Sequence, residues 1–263
     1  MKTQSPDLRR QIAVTVSLVI CVVGSMIGVG VFGGTPIAQA AGGALSADST
    51  LLAPATPAFS IWSLVYTGLA AFTVWQWLPS QRSSARQRSL GWIVALSMIL
   101  NAAWILSVQA GLLLISVVVI LALLVTLVMA FLRYSQSRAG SWVEAIVVDG
   151  TLGLYLGWTS VAVCANIAAA LKAAGFGGFG WRPEIWSVGV LVVVALVGVA
   201  LAIKGHGRLA LAAAIAWGLV WITVGRSADA PESFPTAIAA AVAAAFVLGA
   251  AITVRTRTVM AGR

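Results

Sequence analysis

The sequence predicts an all-α fold, a polytopic membrane helical bundle of about eight transmembrane helices. Three observations predict it. Hydrophobic residues make up 60% of the chain and charged residues 9%, against roughly 45–50% and 25% in soluble domains. Apolar runs long enough to cross hydrocarbon recur along the chain, divided by short polar connections. The basic residues cluster in alternate connections, which is how membrane proteins set their orientation.

The first run, Gln11 to Phe32, follows Lys2, Arg9 and Arg10 and precedes the small-residue stretch AQAAGGA. That profile also fits a secretory signal cut near Ala40 or Ala41, but the run exceeds the roughly 7–15 apolar residues of a signal core, which favours a retained span. Gly24 and Gly28 form a small-xxx-small pair suited to helix packing in lipid. Residues 33–56 are a Gly-, Ala-, Ser- and Pro-rich loop with Asp48 as its single charge, too apolar for a solvated tail and expected to fold down over the helix mouth. Pro54 and Pro57 stiffen the approach to the second helix.

That second helix, Pro57 to Trp77, organises the reading. At about 100° per residue, Phe59, Trp62, Tyr66, Leu69, Thr73 and Gln76 share one side. Lipid gives no reason to gather Tyr, Thr and Gln, so this side is expected to face inward. The third span, Leu90 to Gln109, sets Ser97, Asn101 and Trp104 on one face; the fourth, Gly111 to Tyr134, carries no polar stripe and reads as wall. The fifth, about Trp142 to Leu171, carries Glu144, Thr151, Tyr155, Trp158, Ala162 and Asn166 on one side, with Gly153 and Gly157 as a second small-xxx-small pair. Asp149 falls off that stripe, and shallow Glu144 can equally snorkel to the interface. Spans at Ile185–Ile203, Leu209–Val224 and Phe234–Val254 read as structural helices. The single histidine, His206, lies in the connection KGHGR, and Cys21 and Cys164 sit in apolar runs as free core thiols with no metal spacing.

With the N-terminus inside, thirteen of the 16 Lys and Arg fall on inner segments: Lys2, Arg9, Arg10, Arg82, Arg86, Arg88, Arg133, Arg138, Lys204, Arg208, Arg255, Arg257 and Arg263. Lys172, Arg182 and Arg226 are the exceptions. This predicts an integral protein of a bacterial plasma membrane with both termini cytoplasmic. The net charge of +9 is therefore a topology signal, and no nucleic-acid partner is implied. In this orientation the second, third and fifth helices bring their Trp and Asn residues to one depth in the outer half, beneath the 33–56 loop. These side chains are either packing aromatics or the lining of a pocket for a flat, largely apolar ligand.

The segments FSIWSLVY at 59–66, LNAAW at 100–104 and YLGWTSVAVCAN at 155–166 resemble, in order and spacing, the signatures of the TspO/MBR family, the tryptophan-rich sensory proteins related to the translocator protein (the peripheral-type benzodiazepine receptor). The match lies in Trp62 with Tyr66, Asn101 with Trp104, and Tyr155 with Trp158 and Asn166, and it covers about residues 11–172. The resemblance implies a five-helix bundle over 1–176, followed by three additional transmembrane helices over 177–263. It also implies a loop-closed pocket that binds tetrapyrroles such as porphyrin or haem, in some members sterols or synthetic ligands, and frequent homodimers. No cofactor is required; porphyrin or haem enters as ligand. The ligand-binding set is Trp62, Tyr66, Asn101, Trp104, Tyr155, Trp158, Ala162 and Asn166. The chain departs from the family at Leu154, where a Pro is usual, and at Phe59-Ser60, where Gly-Pro is usual.

Four functions compete. The leading one is a membrane receptor or sensor that binds porphyrin-type ligands and can also transport them. The alternative is a secondary transporter of another small amphipathic solute, against which stands the lack of an internal repeat or paired broken helices. A porphyrin-degrading enzyme is the third; no nucleophile with a base, metal set or redox motif supports it. A ligand-free assembly subunit, in contact only with membrane lipid and partner chains, is the fourth.

Overall fold

The computed structural model describes residues 4–31, 35–37 and 39–261; Lys2, Phe32, Ala38 and Arg263, used in the sequence reading, lie outside the described residues. Among the described residues eight helices are long and apolar enough to span a membrane, the second counted with its entry turn from Thr56: α1 (Gln4–Gly28), α2 (Ile61–Trp75), α3 (Ala85–Gln109), α4 (Leu113–Ser135), α5 (Trp142–Ala173), α6 (Pro183–Lys204), α7 (Leu209–Ala228) and α8 (Phe234–Ala261). The fold is all-helical, and the protein is an integral membrane protein.

Charged residues extend two helices beyond their apolar runs. In α1, described from Gln4, Asp7 pairs with Arg10 one turn on, at 3.0 Å, and with Arg88 of α3 at 2.6 Å. Helix α3 begins at Ala85, and Arg10 reaches it by laying its stem on Gly91 and donating to the Arg82 carbonyl at 2.8 Å. Helix α2 is entered through a tight turn, Thr56–Ser60, with Pro near its start. Gln76 at its far end exchanges amide-to-carbonyl bonds with Gln11 of α1, at 2.7 and 3.2 Å.

Helix α5 is irregular. Residues Ala145–Gly150 form a wide turn whose backbone hydrogen bonds reach one residue further than in an α-helix, between Trp142–Glu144 and the regular Thr151–Ala173. This turn breaks the phase that a uniform 100° count assumes, so Glu144 leaves the stripe of Thr151 to Asn166. It is buried instead. Its carboxylate accepts from Gly140 N at 2.7 Å while its own N–H donates to Ser141 Oγ at 3.1 Å, a reciprocal cap at the helix start. Asp149, in the same turn, pairs with Arg86 of α3 and Arg208 of α7, and the Arg208 guanidinium lies 4.8 Å from the Tyr134 ring centre. These contacts join the starts of α3, α5 and α7 to the end of α4. We call this the basic end.

Both small-xxx-small pairs are seams. A Cβ on Gly24 would stand 3.0 Å from Ala102 Cβ and one on Gly28 2.0 Å from Ile105 Cγ1, so α1 lies directly on α3. Gly153 and Gly157 admit α7: a Cβ on Gly157 would stand 2.4 Å from the Leu211 carbonyl oxygen. Helix α8 then packs on α6 and α7. One continuous apolar core runs from Val14 to Ala251, so the last three helices share the interior of the first five.

Candidate functional site

Opposite the basic end, α2, α3 and α5 converge on Trp62. Its indole stacks on Tyr66, with centroids 5.3 Å apart, and on Trp104 at 6.2 Å; it meets Tyr155 and Trp158 edge-on at 6.0 and 6.3 Å. Phe59 approaches Trp158 edge-on at 5.7 Å. Trp62 is central because it stands one turn above Tyr66 on α2 and faces the aromatic stripe of α5. Such stacked and edge-on pairs fix ring positions beyond what area burial alone does.

The eight residues singled out from sequence separate into two layers. Trp62, Trp104, Trp158, Ala162 and Asn166 line a cavity, whereas Tyr66, Asn101 and Tyr155 lie beneath it. In the lower layer Ser25 of α1 donates to the Tyr66 hydroxyl at 2.6 Å, Tyr66 donates to Asn101 Oδ1 at 3.3 Å, and Tyr155 donates to the Ser97 carbonyl at 3.1 Å. In the upper layer Trp104 Nε1 donates to Asn166 Oδ1 at 2.6 Å, and Asn166 Nδ2 donates to Ser116 Oγ at 3.0 Å. Ser25 and Ser116 escaped the sequence reading because each is a lone hydroxyl in an apolar run. Trp158 is 1% exposed, yet its Nε1 has no hydrogen-bond partner among the described residues.

The roof is the connection between α1 and α2. Ile37, Leu45, Ser49, Ala53 and Pro54 close the cavity from above, as the apolar composition of the loop led us to expect. The enclosed volume is ≈ 30 Å³, room for a water molecule or two. Among the described residues five hydrogen bonds fasten this lid, and in the first Gln109 of α3 donates to the Thr35 carbonyl at 2.7 Å. Lys172 of α5 donates to the Ser49 carbonyl at 2.6 Å. The other three come from α7: Arg226 Nη2 donates to the Ala47 carbonyl at 2.7 Å, the Trp221 carbonyl accepts from Ala55 N at 3.1 Å, and Trp217 Nε1 donates to the Ala58 carbonyl at 2.9 Å. A hydrogen bond from the Ser46 hydroxyl, with Lys172 and Arg226 nearby, holds the Asp48 carboxyl below its usual range. Lys172 and Arg226 are two of the three cations that the charge count left on the wrong side, which was the available signal for a local role. Helix α7 is thus part of the site's frame as well as of the core.

His206 is exposed in the α6–α7 connection, at the basic end. Among the described residues no group of three His, Cys, Asp or Glu is placed to hold a metal ion. The described residues thus form a helical membrane bundle with a small, lidded, tryptophan-lined cavity. The chain belongs to the family of TSPO-like proteins, whose family model matches residues 11–254 and so takes in the three C-terminal helices. No curated protein and no solved structure matches it.

Proposed function

We propose that the protein is a membrane receptor that binds a tetrapyrrole, a porphyrin or haem, in the chamber between α2, α3 and α5, and that the lid gates it. The observation that carries this reading is the cage of Phe59, Trp62, Trp104 and Trp158 around the cavity, with the Trp158 N–H left without an acceptor. Flat aromatic surfaces suit a flat macrocycle, and a lone donor suits a carboxylate or carbonyl at its edge. Small-molecule chambers typically measure ~300–1,000 Å³, so the ≈ 30 Å³ cavity is the closed state of the site. Binding then requires the lid to lift and the indoles to part. The binding-competent state is a minor one that the ligand stabilises.

The skew of Arg and Lys toward the basic end supports a cytoplasmic location for that end and an outward-facing lid in a plasma membrane. Titration of the purified protein with protoporphyrin and with haem, followed by the Soret band and by quenching of tryptophan fluorescence, tests the reading. Saturable quenching at one ligand per chain is expected. Linear, unsaturable quenching equal to that of free tryptophan overturns it.

A further inference from the structure

A second concavity, ≈ 580 Å³, opens at the basic end between the start of α3, the end of α4 and the 136–144 connection. Its walls include Ser84, Arg86, Arg133, Arg138 and Glu144. Behind it, four charges compensate one another: Arg86 meets Glu144 at 3.2 Å and also meets Asp149, which in turn meets Arg208. Arg133 and Arg138 are additional, exposed, and ion-paired with no carboxylate of the described residues; Arg133 donates only to the Ser89 carbonyl, at 2.9 Å. The cleft therefore carries two uncompensated positive charges at its mouth.

Two independent features of its wall call for an anion. Helix α3 starts here with Ser84 as its cap residue, but the Ser84 side chain makes no capping bond and no acid occupies the first turn. The first backbone N–H groups of this 25-residue helix, and the positive end of its dipole, are left without an intrahelical acceptor. The Arg86 side chain, 9% exposed, lines the same cleft, and its buried Nε has no hydrogen-bond partner among the described residues.

We propose that this cleft binds a phosphate group, and that the phosphate is the headgroup of an anionic phospholipid. The surroundings favour the lipid over a free phosphate. Trp142, 76% exposed, stands beside the cleft two residues before Glu144, as an aromatic at headgroup depth does. Met129 and Leu132, 46% and 40% exposed on α4 just before Arg133, offer an apolar track for an acyl chain. Basic pockets between helices at a membrane surface recognise acidic headgroups in this way.

The test uses the full chain in nanodiscs of pure phosphatidylcholine or of phosphatidylcholine with 30% phosphatidylglycerol, read by thermal unfolding and by native mass spectrometry of retained lipid. Phosphatidylglycerol is expected to raise the Tm and to be retained. The double variant Arg133→Gln/Arg138→Gln, altered only at exposed positions, should hold it about thirtyfold more weakly. The variant Arg255→Gln/Arg257→Gln removes two exposed charges that do not line the cleft, and it should retain the lipid as the unaltered protein does. Inorganic phosphate at millimolar concentration should give no comparable shift in pure phosphatidylcholine; an equal shift would overturn the lipid assignment in favour of a free phosphate. Equal losses in both double variants would reduce the effect to general surface charge and overturn the site, as would identical behaviour in the two nanodisc compositions.

Discussion

The Trp104 indole N–H on α3 donates to Asn166 Oδ1 on α5 across 2.6 Å, and Asn166 passes the chain on to Ser116 of α4. One buried amide thus ties three helices together in the wall of the lidded cavity. Replacing it strands the Trp104 N–H away from water and removes the bond that Ser116 Oγ accepts, while the Ser116 hydroxyl keeps its own bond to the Leu113 carbonyl at 2.7 Å. Asn166→Ala is expected to destabilise the protein by about 1–2 kcal/mol, above the ~0.6 kcal/mol average for a single interhelical bond in lipid. A double-mutant cycle with Trp104→Phe checks it by thermal unfolding in detergent. Additive losses would show that the two side chains are not coupled.

Trp158 gives the opposite case. Its ring is held by Phe59 and Trp62, but its N–H finds no acceptor among the described residues. Trp158→Phe removes an unsatisfied donor and keeps an aromatic face, so the Tm should change little. If the N–H meets the edge of a bound porphyrin, affinity should fall a few-fold to tenfold, on the order of 1 kcal/mol. Unchanged affinity in a titration at matched fold would remove Trp158 from the ligand's contacts.

The spans and the aromatic stripes were legible because lipid imposes simple rules: about 20 apolar residues per crossing, polar side chains turned inward, cations on one side. Helical periodicity puts Trp62, Trp104, Trp158 and Asn166 on inward faces, but it leaves packing and pocket lining equally open, and the choice of a pocket came from the family resemblance. What escaped depends on departures from that periodicity or on long-range contacts. The wide turn Ala145–Gly150 rotated Glu144 out of the stripe, and no helical-wheel count can place such a turn. The partners of Asp149, Arg86 and Arg208, lie 63 and 59 residues away. Helix α7 is Ala- and Leu-rich and looks like filler, yet its close approach to Gly157 brings Trp217, Trp221 and Arg226 to the lid.

That approach can be tested at the glycine. A Cβ on Gly157 would fall 2.4 Å from the Leu211 carbonyl oxygen and 2.7 Å from Ala214 Cβ, and backbone cannot give way as a flexible side chain does. Gly157→Ala should cost ~1–3 kcal/mol by forcing α5 and α7 apart. Gly189 in α6 has nothing within 4 Å of the same added atom. Gly189→Ala should therefore be neutral or raise stability by up to ~1 kcal/mol through helix propensity. Thermal unfolding of the two variants side by side reads the difference.

The chain's single histidine, His206, is exposed at the basic end, and the lidded cavity is lined by no histidine. Haem taken up beneath the lid would be held by stacking and hydrogen bonds rather than by an imidazole on iron. His206→Ala should leave the Soret position and intensity of the haem complex unchanged. A lost or shifted band, with the variant still folded, would place the haem at the other end of the bundle.

The lid itself supplies the last test, because most of its fastenings come from a helix outside the five that carry the aromatic motifs. Arg226, 1% exposed, spans from the Pro231 carbonyl at 2.8 Å to the Ala47 carbonyl at 2.7 Å, and Trp217 holds the Ala58 carbonyl beneath the other end of the loop. A hydrogen bond from a charged donor is worth about 1.5–3 kcal/mol, which corresponds to roughly ten- to hundredfold in an opening equilibrium. Arg226→Ala should raise amide hydrogen exchange in residues 44–55 by at least about tenfold. Because Arg226 also braces the α7–α8 connection, Trp217→Phe is the milder companion: it removes one neutral bond to the lid and should raise exchange there by a few-fold. For a ligand that must pass the lid, association and dissociation should both quicken in these variants, with the Kd changing less than either rate, since a gate alters the barrier more than the end states. Exchange confined to wild-type rates in both variants would mean that the loop is held by its own packing, and that α7 supports the bundle without governing access to the cavity.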